Sequence, residues 1–360
     1  MVPHRHGERR ARLAARLLLS AIVAAAALLQ HDSTPAAQST VATDRVWFAP
    51  VPGSVDYLRL FEHPEEWVRA RAQMSVFKFY QQHTQTPAPD IVGSNSYDAL
   101  AKAGAFRLLG QWKKKIAIET GSVKEFFCTP DASGMNESIG NSLSSLRAVQ
   151  SAGGTVAYIS MDNPYASGKA AACGGPALEP TSDRIATYVR GVHAAFPNVA
   201  IGLSEAYPLT SEPDFERALD QLATRGATPA FLHADVDSRA LAKFGADFNR
   251  DMRALRDACA ARGIAFGIIV WGYNGDADAL YSQDASYVAR EITTAFPTWE
   301  DMPVHMVIQS WAVSSTGLLI TPSNLPESQP YTHTSLLLDL LRQFRGHTGP
   351  PTDTAVRKAR

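Results

Sequence analysis

The feature that most limits how this chain folds is a repeated alternation. From Arg45 onward, short apolar runs alternate with helix-length amphipathic stretches, and the order does not reverse. The runs begin at Val46, Ser75, Lys115, Thr155, Val199, Ala230, Ile264 and His305, eight in all. Between them lie stretches such as 98–112, 138–151, 183–196, 214–225 and 247–262, with a last one at 334–345. Many open on Asp or Ser, which satisfy free N–H groups at a helix start, and several close on Gly or Pro-Asn. Strand–helix–strand repeats require a parallel sheet, because each helix returns the chain to the same end. Eight such units predict closure into a single α/β domain, a (β/α)8 TIM barrel over residues 45–346. An open doubly wound sheet is the alternative, but no glycine-rich fingerprint follows the first strand.

The 360-residue chain has a different character at its start. Five arginines (Arg5, Arg9, Arg10, Arg12, Arg16) face only Glu8 and Asp32 and precede a mostly apolar 13-residue run over 17–29, then Thr34-Pro-Ala-Ala. That run is too short to span a bilayer comfortably, so residues 1–38 read as a signal peptide and short leader, and the protein as secreted or periplasmic. An uncleaved anchor is the rival reading, because Leu13-Ala-Ala extends the run. No Cys follows it, which argues against a lipoprotein. Formal charge is -1 overall and near -4 without the leader, so nothing suggests nucleic acid or, after signal removal, a membrane as partner. The remaining ~320 residues exceed the roughly 250 of a typical barrel and imply extended βα loops. Residues 347–360 form a polar tail.

Three cysteines occur, Cys128, Cys173 and Cys259, with no C-x-x-C pair. That supports neither a zinc site nor a thioredoxin-like motif. Cys128 and Cys173 follow consecutive strands and are the plausible disulfide in an oxidising compartment. Three free thiols are the bland alternative. Cys259 sits in a helix-like segment as a small buried residue.

Side chains alternate along a strand, so parity separates lumen from helix layer. It aims Lys78 and Tyr80 inward from strand two, Glu119 from strand three, and Tyr158, Ser160 and Asp162 from strand four. His233, Asp235 and Asp237 point in from strand six, Trp271 and Tyr273 from strand seven, and Gln309 and Trp311 from strand eight. Strand five breaks the pattern. Glu205 shares its parity with Ile201 and Leu203, so it reaches the mouth only if the strand ends at about Ser204.

Barrels of this kind place active sites at the C-terminal ends of their strands. The concentration of Glu119, Asp162, Glu205, Asp235 and Asp237 there is costly for a purely structural interior. Lys78 and His233 are the available salt-bridge partners. Two carboxylates in different environments are the minimal equipment for glycosidic hydrolysis: one protonated to assist the leaving group, one acting as nucleophile or base. Asp162, Glu205, Asp235 and Glu119 are the catalytic candidates. Lys78, Tyr80, His233, Asp237, Trp271, Tyr273, Gln309 and Trp311 are the substrate contacts, the aromatic rings suiting the C–H faces of sugars.

In these respects the chain resembles the secreted (β/α)8-barrel glycoside hydrolases. Asp162 in Met161-Asp-Asn-Pro with Asp235 is similar to the layout of the α-galactosidase clan. Asp162 with Glu205 is similar to that of the α-amylase clan, which also wants an acid where this chain has Trp271-Gly-Tyr273. The Asn-Glu and Glu signatures of the cellulase-like clan are missing, so no single family is assigned. Gln309-Ser-Trp311 with the segment 322–327 looks like a sugar-contact loop. The resemblance implies a carbohydrate substrate; no cofactor and a monomer are expected beside it. Two other classes stay open: a non-catalytic glycan-binding barrel, and a metal-dependent sugar-isomerase type in which Glu119, Glu205, His233 and Asp235 surround a divalent ion.

Overall fold

Eight strands form where the apolar runs predict them: β1 (Val46–Ala49), β2 (Val76–Tyr80), β3 (Lys115–Thr120), β4 (Val156–Asp162), β5 (Ala200–Tyr207), β6 (Phe231–Val236), β7 (Ala265–Val270) and β8 (His305–Gln309). The computed structural model describes residues 44–124, 132–168, 178–311 and 322–346. All of them belong to one compact unit, Thr40–Arg360. The leader, the tail, Cys128 and Cys173 lie outside the described residues.

Every neighbouring pair of strands is parallel, and β1 pairs with β8 from Val46↔Met306 to Ala49↔Gln309. The sheet is therefore a closed barrel with no free edge. Helices cover its outside through faces set by their sequence. In Phe248–Ala261, Phe248, Met252, Leu255 and Cys259 recur at helical spacing and are buried, while Asp247 caps the helix by accepting from the Arg250 N–H at 3.1 Å. The stretch predicted as one helix over 98–112 is two, Tyr97–Lys102 and Ala105–Gln111. Gly104 separates them at φ +70°, a left-handed conformation that glycine adopts without penalty. Among the described residues no helix is long and apolar enough to cross a membrane.

Below the mouth the lumen is packed solid. Trp47 of β1 lies within 5.3 Å, centroid to centroid, of Tyr158, Phe231, His233 and His305. Fully burying such an apolar side chain contributes about 1.5–3 kcal/mol. This plug explains the reversed pattern of β5. A Cβ at Gly202 would stand 2.4 Å from the Phe231 ring, so β5 presents small residues to the lumen to make room for that ring. The His233 Nε2 and His305 Nδ1 atoms lie 2.9 Å apart. Burial pushes His233 well below the usual imidazole range, with His305 and Lys78 adding to the effect. At the lower end the Tyr158 hydroxyl donates to Asp44, which also takes Lys115 Nζ at 2.7 Å.

Candidate active site

The barrel opens at the C-terminal ends of its strands into a cleft of about 420 Å³. Six of the predicted site residues line it: Tyr80, Glu119, Asp162, Asp235, Gln309 and Trp311. Five of them occupy lumen positions of their own strands, and Trp311 continues the same parity two residues past the end of β8, which is why separate strands bring them together.

Asp162 ends β4 and is held from two sides. Lys124, in the turn after β3, donates to its Oδ2 at 2.6 Å, and Asn163 donates to its Oδ1 at 2.7 Å. Asn163 sits at φ +54°, a left-handed backbone that Asn tolerates better than most side chains. Its own N–H donates to the Ser204 carbonyl at 2.7 Å, and its Oδ1 accepts from the Ala206 N–H at 2.6 Å. Asn163 thus pins the carboxylate-bearing end of β4 to β5. Burial alone would lower Lys124, but Asp162, followed by Glu119 and Glu205, holds its ammonium above the usual lysine range.

Asp235, on β6, has the opposite environment. Among the described residues its buried Oδ1 has no hydrogen-bond partner. Burial pushes its carboxyl well above the usual carboxylate range; Asp162 and Glu119 reinforce the shift, while Lys78 and the Trp271 indole oppose it. The result is one salt-bridged carboxylate and one group that favours its protonated form, across a shared cleft.

Glu119 forms a third arrangement on the floor. Lys78, with no exposed side-chain surface, donates to Glu119 Oε2. Gln309 Nε2 reaches the two carboxylate oxygens at 3.3 and 3.2 Å. Burial raises the Glu119 carboxyl, and Lys78 restrains that rise.

The other predicted residues are placed differently. β5 does not end at Ser204 but runs to Tyr207, so Glu205 faces away from the lumen. It is fully buried, and its oxygens accept from the backbone N–H groups of Tyr165 and Ala166 at 2.6 and 3.1 Å. His233 points into the lumen as parity requires, but it lies in the plug and not in the cleft lining. Asp237 lies past the end of β6 and is engaged by Arg239, whose Nε and Nη2 approach its oxygens at 2.9 Å. That guanidinium lies 5.6 Å from the Trp271 ring centre and 5.2 Å from that of Tyr273. Trp271 in turn packs on Trp311 with centroids 4.7 Å apart, backing the cleft wall, whereas Tyr273 is exposed at the rim. The segment 322–327 is tied elsewhere. Asn324 binds Asp56 and Ser54, and Glu327 takes the N–H groups of Arg69 and Ala70.

The four residues of the metal reading do not converge. Glu205 faces outward and His233 is in the plug. Among the described residues, the side chains whose ligand atoms cluster tightly are His63, Glu65 and Glu66, on the surface. Sequence reasoning missed Lys124, Asn163 and Ser204 in the cleft lining. Ser204 carried a signal, since parity turned it inward, whereas Lys124 and Asn163 lie past strand ends where alternation stops applying.

No protein-family profile matches this chain. No curated protein matches it in sequence. Among solved structures, a modular endo-β-1,4-mannanase from Cellulomonas fimi, of glycoside hydrolase family 26, aligns at TM-score 0.52 and 11% identity over 88% of this chain and 72% of that one. A double mutant of a C. fimi endo-β-1,4-mannanase gives 0.54 at 10% identity, covering 85% and 72%. An engineered protein gives 0.54 at 9%, covering 86% and 71%. The likeness is one of fold. This chain shares the (β/α)8 architecture that such glycoside hydrolases use, and no family is assigned to it.

Proposed function

We propose that the protein is an exported glycoside hydrolase in which Asp235 and Asp162 divide the acid and base work. The observation that carries this reading is their contrast: Asp162 is salt-bridged to Lys124, while burial pushes Asp235 toward its protonated form and its Oδ1 has no hydrogen-bond partner among the described residues. Asp235 donates its proton to the glycosidic oxygen as the bond breaks. Asp162 acts on the anomeric carbon, directly or by taking a proton from water. Trp311, with Trp271 behind it, offers an apolar ring to the sugar face. The leader over residues 1–38 supports export, which amino-terminal sequencing of protein recovered outside the cytoplasm tests.

The activity test is a panel of neutral aryl glycosides and β-linked polysaccharides assayed with the wild type, Asp162→Asn and Asp235→Asn. Loss of at least about 1,000-fold in kcat for both variants is expected, with sugar affinity kept within a few-fold. Wild-type turnover undiminished in either variant would remove that residue from the pair.

A second reading, a glycan-binding barrel without catalysis, is favoured by the ion pairs that already engage Glu119 and Asp162. It predicts sugar binding with no cleavage across the same panel.

A further inference from the structure

The acid–base pair leaves Glu119, Gln309 and Lys78 without a task in bond breaking, although two of them line the floor of the cleft. Their hydrogen bonds are directional. Gln309 Nε2 is turned toward the Glu119 carboxylate, at 3.3 and 3.2 Å from its oxygens. Reversing the amide would set two acceptors against each other, so the carboxylate fixes Gln309 Oε1 on the other side. That oxygen is buried and has no partner among the described residues, in a side chain only 2% exposed. The nearby Tyr80 hydroxyl does not supply the missing proton, because it donates to the Ser310 carbonyl at 2.8 Å. A buried acceptor without a donor is destabilising, and it becomes an asset only when a ligand brings an O–H group. Glu119 is the second acceptor, with Oε2 taken by Lys78 and Oε1 held, among the described residues, by the long Gln309 contact.

We infer that Glu119 and Gln309 form a hydroxyl clamp that seats the sugar ring being cleaved, and that the substrate is a glycoside with two adjacent free hydroxyls. One hydroxyl donates to Gln309 Oε1 and its neighbour to Glu119 Oε1. Lys78 is a positioning residue, holding the carboxylate in place from below. This inference rests on the hydrolase reading and deepens it by naming what the floor selects.

The experiment uses 4-nitrophenyl gluco-, galacto-, manno- and xylopyranosides, and monodeoxy analogues of the best substrate. A site that hydrogen-bonds a hydroxyl rejects the analogue lacking it, because its own polar group is left unpaired. Two adjacent deoxy positions should each cost the wild type roughly tenfold or more in kcat/KM. In Gln309→Ala, KM for the parent rises roughly tenfold, and one of the two deoxy penalties disappears. Gln309→Met, which keeps the length of the side chain without the amide, repeats the measurement if the Ala variant does not fold. Equal deoxy penalties in variant and wild type overturn the clamp. If no glycoside is cleaved, the hydrolase reading fails and the clamp is judged by calorimetric titration with the four free monosaccharides. Binding that Gln309→Ala or Gln309→Met abolishes supports it. No binding to the wild type, or equal binding to both proteins, overturns it.

Discussion

The Glu205 carboxylate accepts hydrogen bonds from the backbone N–H groups of Tyr165 and Ala166, at 2.6 and 3.1 Å, on the face of β5 turned away from the cleft. Those N–H groups open the short helix Pro164–Gly168, which follows directly on Asp162 and Asn163. An acid that parity leaves outside the barrel therefore anchors the segment that presents a carboxylate inside it. Glu205→Ala should cost about 1–3 kcal/mol for each N–H left unpaired, read by urea denaturation. Glu205→Gln, which keeps one acceptor, should fall between. Wild-type stability in the Ala variant would mean that the helix is held by something else.

Asp235 ties activity to stability with opposite signs. Its folded-state pKa is raised, so the folded protein binds its proton more tightly than the unfolded chain does. The stability it contributes is full below the unfolded carboxylate range and is lost as pH rises through the folded value. Asp235→Asn should consequently melt about 2–4 °C higher at pH 7 than the wild type and show a flatter dependence of Tm on pH. The acid role gives a matching signature: kcat declines as pH rises through the same pKa. A wild-type profile whose alkaline limb survives in Asp235→Asn would assign that limb to another group.

Lys78 and Glu119 are best tested together. Lys78→Met leaves the Glu119 carboxyl, only 8% exposed, with Gln309 as its one hydrogen-bond partner among the described residues, at a cost of about 3–5 kcal/mol. The double variant Lys78→Met/Glu119→Gln removes both charges and should recover most of that loss. Chemical denaturation of the four proteins gives the coupling, and simple additivity would count against a stabilising ion pair.

The contact between Gly202 and Phe231 gives a packing test. Gly202→Ala forces a methyl into the Phe231 ring and should cost about 1–3 kcal/mol by thermal or urea melting. Combined with Phe231→Leu, which opens space at that point, the same substitution should cost less. If the Ala penalty is unchanged in the Leu background, the plug is not what makes β5 small.

The barrel was legible because each strand is a short apolar run bounded by helix starts and stops, and each begins within one residue of its expected position. Parity also read correctly which way Lys78, Tyr80, Glu119, Asp162, Asp235 and Gln309 point. It carries no information about height along the barrel axis, which is why His233 looked like a mouth residue while lying in the plug beside His305. Glu205 shows a related limit. Its parity already turned it outward, but only the length of β5, through Tyr207, decided the matter. Lys124 and Asn163 were out of reach because their positions depend on turn geometry past β3 and β4. Nothing in the local sequence reports that a left-handed Asn163 would reach across to Ala206.

Trp47, Tyr158, Phe231, His233 and His305 close the barrel below the cleft. A ligand seated against these packed rings therefore faces the mouth, because the plug leaves it no passage through the lower end of the barrel. For the hydrolase proposed above, the part of the substrate seated deepest would have to leave on the mouth side rather than through the barrel. A shape settled by packing thus fixes the side from which any retained product would compete with incoming substrate.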